Sequence, residues 1–257
     1  MIEASWLTLP ATPATPALRC WWARPAQGSP RAGVLVLPEV FGINGWIRAT
    51  AERLAAEGYG ALAMPCFART APDLDLPYDE AALAEGRRHR DAVNASELLA
   101  DAAVAAAWLQ GQAGLEGRPI GCVGFCFGGH LAMLAATLPA VAATVDCYGA
   151  RVASFRPGGG TPTLELVPQI PGRLLCVRGS ADPLIPPEEV AAVAEALEQA
   201  NASSAAPGQP MPRHRLLLCE GGGHGFLCDD PARGSYHPAS AALTWEAMLA
   251  LFGETIG

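Results

Sequence analysis

Short apolar runs alternate along most of this chain with longer stretches whose apolar residues recur at helical spacing. Apolar runs of about four to eight residues are typical of strands covered on both faces of a sheet, and the longer periodic stretches are typical of helices. The runs predicted to be such strands are residues 32–37, 60–64, 120–125, 141–148, 173–178 and 214–219. Because they alternate with helices, the sequence predicts an α/β protein with a mostly parallel central sheet and helices on both faces.

The remaining predicted elements are one hairpin and several helices. Residues 6–9 and 18–24 predict two antiparallel strands at one edge of the sheet, within residues 1–30. The helices are predicted over residues 44–57, 81–110, 131–138, 187–200 and 239–252. The second of these is expected to break near Gly86 and at the polar residues 87–91, which favour a solvated face over a substrate patch. Residues 201–212 are expected to form a surface loop.

The composition fits a single α/β domain over residues 1–257, since 51% of the residues are hydrophobic and 16% are charged. The net charge is −8 and no long basic stripe is present, which argues against nucleic acid and anionic membranes as partners. Residues 1–20 lack a basic start followed by an apolar run, and Pro139 interrupts the longest apolar stretch, residues 131–145. We therefore expect a cytoplasmic protein without a membrane span, present as a monomer or weak homodimer.

Eight cysteines are scattered along the chain, and no two of them form a Cys-x-x-Cys pair. Most lie in apolar runs, where cysteine behaves as a small hydrophobic residue. This spacing predicts neither a disulfide framework nor a zinc site. Only Cys126 has neighbours that suggest chemistry.

Cys126 lies between an apolar strand and an alanine- and leucine-rich helix, in the run Gly124-Phe125-Cys126-Phe127-Gly128. This pattern is typical of a nucleophile elbow, in which the nucleophile occupies a strained strand-to-helix turn and its neighbours must be small. The first N–H groups of the helix would point at the sulfur, where their positive dipole favours a thiolate and an oxyanion. The alternative is a glycine-rich turn with a buried, inert cysteine.

An acid and a histidine follow Cys126 in an order used by nucleophilic hydrolases. Asp182 and His224 each come directly after a predicted strand, so both are expected at the same sheet edge as Cys126. A thiol needs a base to form a thiolate, and the base needs a carboxylate to fix its tautomer. Asp146 is a competing acid, ranked below Asp182, and His130 is a competing base that packing explains more readily.

Glu39 comes just after the predicted strand over residues 32–37, where a carboxylate is most often solvated. An oxyanion hole at such an elbow uses the N–H of the residue after the nucleophile and one N–H from the loop after an early strand. These are the N–H groups of Phe127 and Val40, which places Glu39 beside the active site. Its charge there would favour the neutral thiol of Cys126 until substrate displaces it or the histidine pairs with the sulfur.

Six short segments stand at or near the predicted strand ends. They are Leu37-Pro38-Glu39-Val40-Phe41-Gly42, Met64-Pro65-Cys66, Gly124-Phe125-Cys126-Phe127-Gly128-Gly129, Cys147-Tyr148-Gly149, Gly179-Ser180-Ala181-Asp182 and Gly223-His224-Gly225-Phe226. Together they resemble the dienelactone hydrolase family, the carboxymethylenebutenolidase-like group of the α/β-hydrolase superfamily. The resemblance covers roughly residues 32–252. It implies an α/β-hydrolase fold without a separate lid domain and a triad of Cys126, Asp182 and His224. It also implies Glu39 as an accessory carboxylate that holds or steers the nucleophile, and no metal or other cofactor.

The resemblance also implies a function: hydrolysis of a lactone or small carboxylic ester through a cysteine thioester. Family members that act on dienelactone bind its carboxylate with two arginines, but this chain has Cys228 and, by a rough alignment, Leu83 at those positions. The candidate substrate contacts in this chain are Arg69, Arg87, Tyr148 and Phe226.

Two other functions stay open at this point. One is a redox-sensing thiol protein that uses Cys126 without acyl chemistry. It would need a resolving cysteine, and Cys122 is a poor candidate because it lies inside the predicted strand. The other is a non-catalytic module that binds a small molecule on the same fold.

Overall fold

The computed structural model describes residues 1–204 and 213–257. Within these residues the strands are β1 (Ile2–Leu9), β2 (Leu18–Pro25), β3 (Gly33–Leu37), β4 (Gly60–Ala63), β5 (Ile120–Phe125), β6 (Val141–Cys147), β7 (Arg173–Gly179) and β8 (His214–Cys219). They pair in one sheet in the order β1-β2-β4-β3-β5-β6-β7-β8. Strands β3 to β8 are parallel. The hairpin of β1 and β2 lies antiparallel at one edge, as predicted.

Helices connect the parallel strands and cover the sheet. They are α1 (Gly45–Ala56), α2 (Glu80–Asp91), α3 (Ala95–Gln110), α4 (Phe127–Ala135), α5 (Pro187–Ser204) and α6 (Pro238–Thr255), with a short 3-10 helix over Thr163–Gln169. Alternate residues of β3 show the two faces: Val34 and Val36 pack in one core with α1 and α6, while Leu35 and Leu37 pack in another with α3 and α4. Burial on both faces explains why these strands are continuous apolar runs.

The helical stretch over residues 81–110 breaks later than the sequence predicts. The chain leaves the helix at residues 92–94, and α3 begins after Asn94, whose side chain accepts a hydrogen bond from the N–H of Ser96 at 2.9 Å. Gly86 lies inside α2 instead of breaking it. A Cβ atom on Gly86 would lie 2.1 Å from the carbonyl oxygen of Val40, so the glycine permits close approach of two backbone segments.

The loop predicted over residues 201–212 lies mostly outside the described residues. Its first residues, 201–204, continue α5.

No single helix in the described parts of the chain is long and apolar enough to span a membrane. Helices α2 and α3 would meet that requirement only if taken together, and they meet at an angle of 97°.

The parallel strands bring distant parts of the chain to one edge of the sheet. Glu39 follows β3, Cys126 follows β5, Asp182 follows β7 and His224 follows β8. Since parallel strands end at the same side, side chains at these exits are placed to form one site.

Candidate active site

Cys126 occupies a strained turn between β5 and α4. Its backbone angles are φ 55° and ψ −119°, a region that residues with a side chain rarely adopt and that costs about 1–3 kcal/mol. The flanking glycines make the turn possible. A Cβ on Gly124 would lie 1.9 Å from the carbonyl oxygen of Gly128, and a Cβ on Gly128 would lie 2.2 Å from that of Leu37. The geometry is that of a nucleophile elbow, with a partly exposed thiol at the start of a helix.

His224 and Asp182 form a hydrogen-bonded pair beside this turn. The Nδ1 atom of His224 lies 2.8 Å from Oδ2 of Asp182, whose other oxygen accepts a hydrogen bond from the N–H of Leu184 at 2.8 Å. The carboxylate therefore selects the tautomer with the proton on Nδ1. Among the described residues, the buried Nε2 atom has no well-aligned hydrogen-bond partner, and the ring lies close enough to Cys126 for that residue to affect its pKa.

The charge on Cys126 controls the protonation of His224. Burial lowers the pKa of His224, but attraction to the Cys126 thiolate and the hydrogen bond to Asp182 raise it to about 10. The imidazolium is therefore stabilised when the neighbouring sulfur is ionised.

This coupling predicts that removal of the thiol will lower the pKa of His224. In the Cys126→Ala variant the attraction of the thiolate is gone, while the burial that lowers the pKa remains. An NMR titration of the His224 ring should show a midpoint near 10 in the wild type and a lower one in the variant. Equal midpoints in the two proteins would contradict the pairing of this ring with Cys126.

Glu39 is fully buried, unlike a solvated carboxylate. One of its oxygens accepts a hydrogen bond from the hydroxyl of Tyr78 at 3.0 Å, and the other accepts one from Nη2 of Arg233 at 3.1 Å. Burial lowers the pKa of Arg233, but the charges of Glu39 and Cys126 raise it, so Arg233 stays a cation. The Arg233 charge thus offsets that of Glu39 close to the thiol.

Sequence reasoning missed both partners of Glu39. Tyr78 lies in the segment between β4 and α2 and Arg233 in the segment between β8 and α6, both more than ten residues beyond the end of the strand. The contact between Arg233 and Glu39 joins positions 194 residues apart, so no local pattern could have indicated it.

A cavity of about 290 Å³ opens beside Cys126. The residues that line it are Val40, Arg87, Arg90, Cys126, Phe127, His130, Ala150, Arg151, Phe155, Leu184 and His224. The lining includes both residues predicted to supply oxyanion-hole N–H groups, and neither group donates a hydrogen bond to a backbone acceptor among the described residues. Among the described residues, three arginines and no acids line the cavity, in a chain whose net charge is −8. Arg87 was predicted as a substrate contact, Arg90 belongs to the run over residues 87–91 that was interpreted as a solvated face, and Arg151 was not singled out.

Three predicted substrate contacts do not line this cavity. Arg69 is held by Asp101 of α3, with its Nη2 atom 3.1 Å from Oδ1 of that carboxylate. Tyr148 is fully buried and packs edge-on against the His224 ring, with centroids 5.4 Å apart. Phe226 is buried behind Tyr148 at 5.3 Å. The Tyr148 ring packs against the His224 ring, with Phe226 behind it, and the Asp101 carboxylate neutralises the charge of Arg69.

The competing acid and base both have other partners. Asp146 and Arg178 form a fully buried ion pair, with 2.6 Å between Oδ2 and Nη2. His130 lies 2.9 Å from the carbonyl oxygen of Ala150 through Nδ1 and 2.8 Å from the Thr163 hydroxyl through Nε2. Neither residue is therefore free to replace a member of the Cys126 site.

Known proteins are similar to this chain in sequence. The profile of the dienelactone hydrolase family matches residues 18–256. A protein of Synechocystis sp. that carries the assignment carboxymethylenebutenolidase is 33% identical over 219 residues, covering 85% of this chain and 84% of that protein. A Bradyrhizobium protein assigned as a 2-oxo-3-(5-oxofuran-2-ylidene)propanoate lactonase is 28% identical and covers 88% of this chain and 85% of that protein.

The fold is also similar to that of solved structures. A crystal structure from Klebsiella pneumoniae, assigned as a dienelactone hydrolase, aligns with a TM-score of 0.83 and 27% sequence identity. The alignment covers 99% of each chain. The predicted α/β-hydrolase fold is thereby confirmed.

Proposed function

This chain belongs to the dienelactone hydrolase family of ester and lactone hydrolases, and from that premise we propose that it cleaves a lactone or small carboxylic ester through a thioester on Cys126. The observation that carries the proposal is the 2.8 Å hydrogen bond between Nδ1 of His224 and Asp182, which leaves Nε2 of the ring without another partner among the described residues, in a ring that interacts with Cys126. A base so oriented can hold the proton of the nucleophile.

The reaction begins with attack of the Cys126 sulfur on the carbonyl carbon of the substrate. The backbone N–H groups of Val40 and Phe127 stabilise the oxyanion, each by about 3 kcal/mol. Collapse of the tetrahedral intermediate breaks the ester C–O bond, and Nε2–H of His224 protonates the departing alkoxide or enolate. His224 then takes a proton from water, which attacks the thioester and releases the acid and the Cys126 thiolate. Asp182 orients the ring throughout.

Glu39 is the accessory carboxylate in this mechanism. An isolated buried carboxylate near the sulfur would disfavour the thiolate by like-charge repulsion. Arg233 offsets that repulsion, and Tyr78 donates to the second oxygen, so Glu39 can hold the loop that carries Val40 without suppressing the nucleophile.

The charges at the cavity favour a substrate with an acidic group. Arg87, Arg90 and Arg151 line it, and although Arg90 pairs with Asp91 at 2.7 Å, a cleft lined by one sign of charge concentrates ligands of the opposite sign. The Bradyrhizobium relative is named for an anionic lactone, a propanoate. An unsaturated lactone or ester that carries a carboxylate is therefore the substrate class we propose.

The proposal is tested by measuring turnover of p-nitrophenyl esters of increasing acyl length and of unsaturated lactones, before and after treatment with iodoacetamide. We expect turnover of short acyl esters and lactones, lost when Cys126 is alkylated. Peroxide titration run in parallel separates the redox alternative. If peroxide oxidises Cys126 and no ester or lactone is turned over, the result would favour a thiol sensor. If Cys126 is not oxidised and no substrate is turned over, the result would favour a binding module.

A further inference from the structure

Arg151 lines the cavity in a backbone conformation that is unusual for an arginine. Its φ angle is 64°, in the left-handed region that glycine adopts without steric cost. A strained arginine at a position suited to glycine indicates that its side chain has a use. The guanidinium lies over the Phe155 ring, 4.5 Å from the centroid, and pairs with no carboxylate among the described residues.

Glu189, in the first turn of α5, holds the backbone at Arg151. Its side chain is almost fully buried, and Oε1 accepts a hydrogen bond from the N–H of Val152 at 2.8 Å. The N–H groups of Arg151 and Ala153 interact with the same carboxylate. A left-handed residue makes successive N–H groups converge on one anion, and here that anion is a side chain of the protein itself.

The same segment is also held from the helix that follows the nucleophile. A carbonyl oxygen only accepts hydrogen bonds, so Nδ1 of His130 donates to Ala150 and Nε2 accepts from the Thr163 hydroxyl. Burial lowers the pKa of His130, which agrees with this neutral tautomer. Residues 150–153 are thus fixed from two sides, by α4 and by α5, while the Arg151 side chain remains at the cavity.

We propose that Glu189 is a positioning residue, whose carboxylate fixes the backbone of residues 151–153 and so holds the Arg151 guanidinium where it selects substrates that carry a negative charge. This inference rests on the proposed hydrolysis of esters at Cys126. It adds a specificity residue, Arg151, and a residue that acts only through it.

The test compares anionic and neutral esters of matched shape. One pair is the p-nitrophenyl monoester of glutaric acid against p-nitrophenyl pentanoate, with the charge on the acyl side. The other is 4-carboxyphenyl butanoate against phenyl butanoate, with the charge on the leaving group. Arg151→Ala should lower the anionic-to-neutral ratio of kcat/KM about fivefold in at least one pair, the range of a solvent-exposed ion pair.

Glu189→Ala should lower the ratio in the same pair, and the double variant should lower it no further than the single variants. Glu189→Gln keeps an oxygen acceptor for Val152 and should retain more of the ratio than Glu189→Ala. The matched control is Glu188→Ala, an exposed neighbour on the same turn, which should leave the ratio unchanged. If Glu189→Ala does not fold, the anionic-to-neutral ratio of kcat/KM in Glu189→Gln is compared with that in Arg151→Ala, and this comparison tests whether Glu189 acts through Arg151.

Two results would overturn the inference: an unchanged ratio for both substrate pairs in Arg151→Ala, or equal losses of kcat/KM for charged and neutral esters in the Glu189 variants. The second result would reduce Glu189 to a purely structural role. If the wild type turns over none of these esters, the proposed hydrolysis fails instead. Glutarate binding, measured by NMR in the wild type, in Arg151→Ala and in Glu189→Ala, then decides whether Glu189 and Arg151 act together on an anion.

Discussion

Replacement of Cys126 by alanine is expected to lower kcat/KM for ester and lactone substrates on the order of 10⁴-fold or more, because the attacking atom is removed. The backbone N–H groups of Val40 and Phe127 stay in place, so substrate binding and a small residual rate should survive. The measurement is steady-state turnover of the best substrate from the acyl-length series, together with a test for trapped acyl-enzyme by mass spectrometry in wild type and variant.

The matched control is Cys122→Ala, four positions earlier in β5. Cys122 is fully buried and packs in the core beneath α3 and α4, so its loss should reduce stability slightly and leave the acylated position unchanged. An enzyme that keeps full activity without the Cys126 thiol would remove the basis of the proposed mechanism. Acyl groups found on another cysteine would do the same.

The second large effect is expected for Asp182→Asn, which should lower kcat on the order of 10⁴-fold with little change in fold. The amide nitrogen of asparagine can donate to Nδ1 of His224, which would leave the ring proton on Nε2. A ring protonated on Nε2 cannot accept a proton from the thiol. Turnover at several pH values, with circular dichroism as a check on folding, measures this effect.

Asp146→Asn provides the contrast, since Asp146 was the competing acid. It breaks a fully buried ion pair with Arg178 and should lower the free energy of unfolding by about 3–5 kcal/mol. Urea denaturation should detect that loss, while activity per folded molecule falls far less than in Asp182→Asn. The reverse pattern would show that the acid had been assigned to the wrong strand end.

The succession of strands and helices and the positions of Cys126, Asp182 and His224 after strands could be anticipated from sequence because each depends on a local signal. A strand buried on both faces leaves an apolar run, and the residue after it must lie at the edge of the sheet. Nothing further is required to place the three residues near one another. Their hydrogen bonding is a property of the folded loops, which the sequence pattern does not describe.

The surroundings of the site depend on contacts between distant segments, and these were predicted poorly. Arg69 was predicted as a substrate contact, but the Asp101 carboxylate of α3 pairs with it and neutralises its charge. Arg151 gave no local signal, because the hydrogen bond that holds its segment runs from the N–H of Val152 to the Glu189 carboxylate, 37 positions further along the chain. Glu39 was placed beside the active site, but its two enclosing partners, Tyr78 and Arg233, were not predicted.

The close approach of α2 to the loop after β3 limits how this protein can be made more thermostable. Replacement of glycine by alanine inside a helix ordinarily stabilises it by about 1 kcal/mol, and Gly86 would be an obvious choice. Its added methyl group would collide with the carbonyl oxygen of Val40, 2.1 Å away, and displace the residue whose N–H we propose for the oxyanion hole. Engineering of heat resistance should therefore begin on the exposed side of the hairpin or of α6, and leave this helix unchanged.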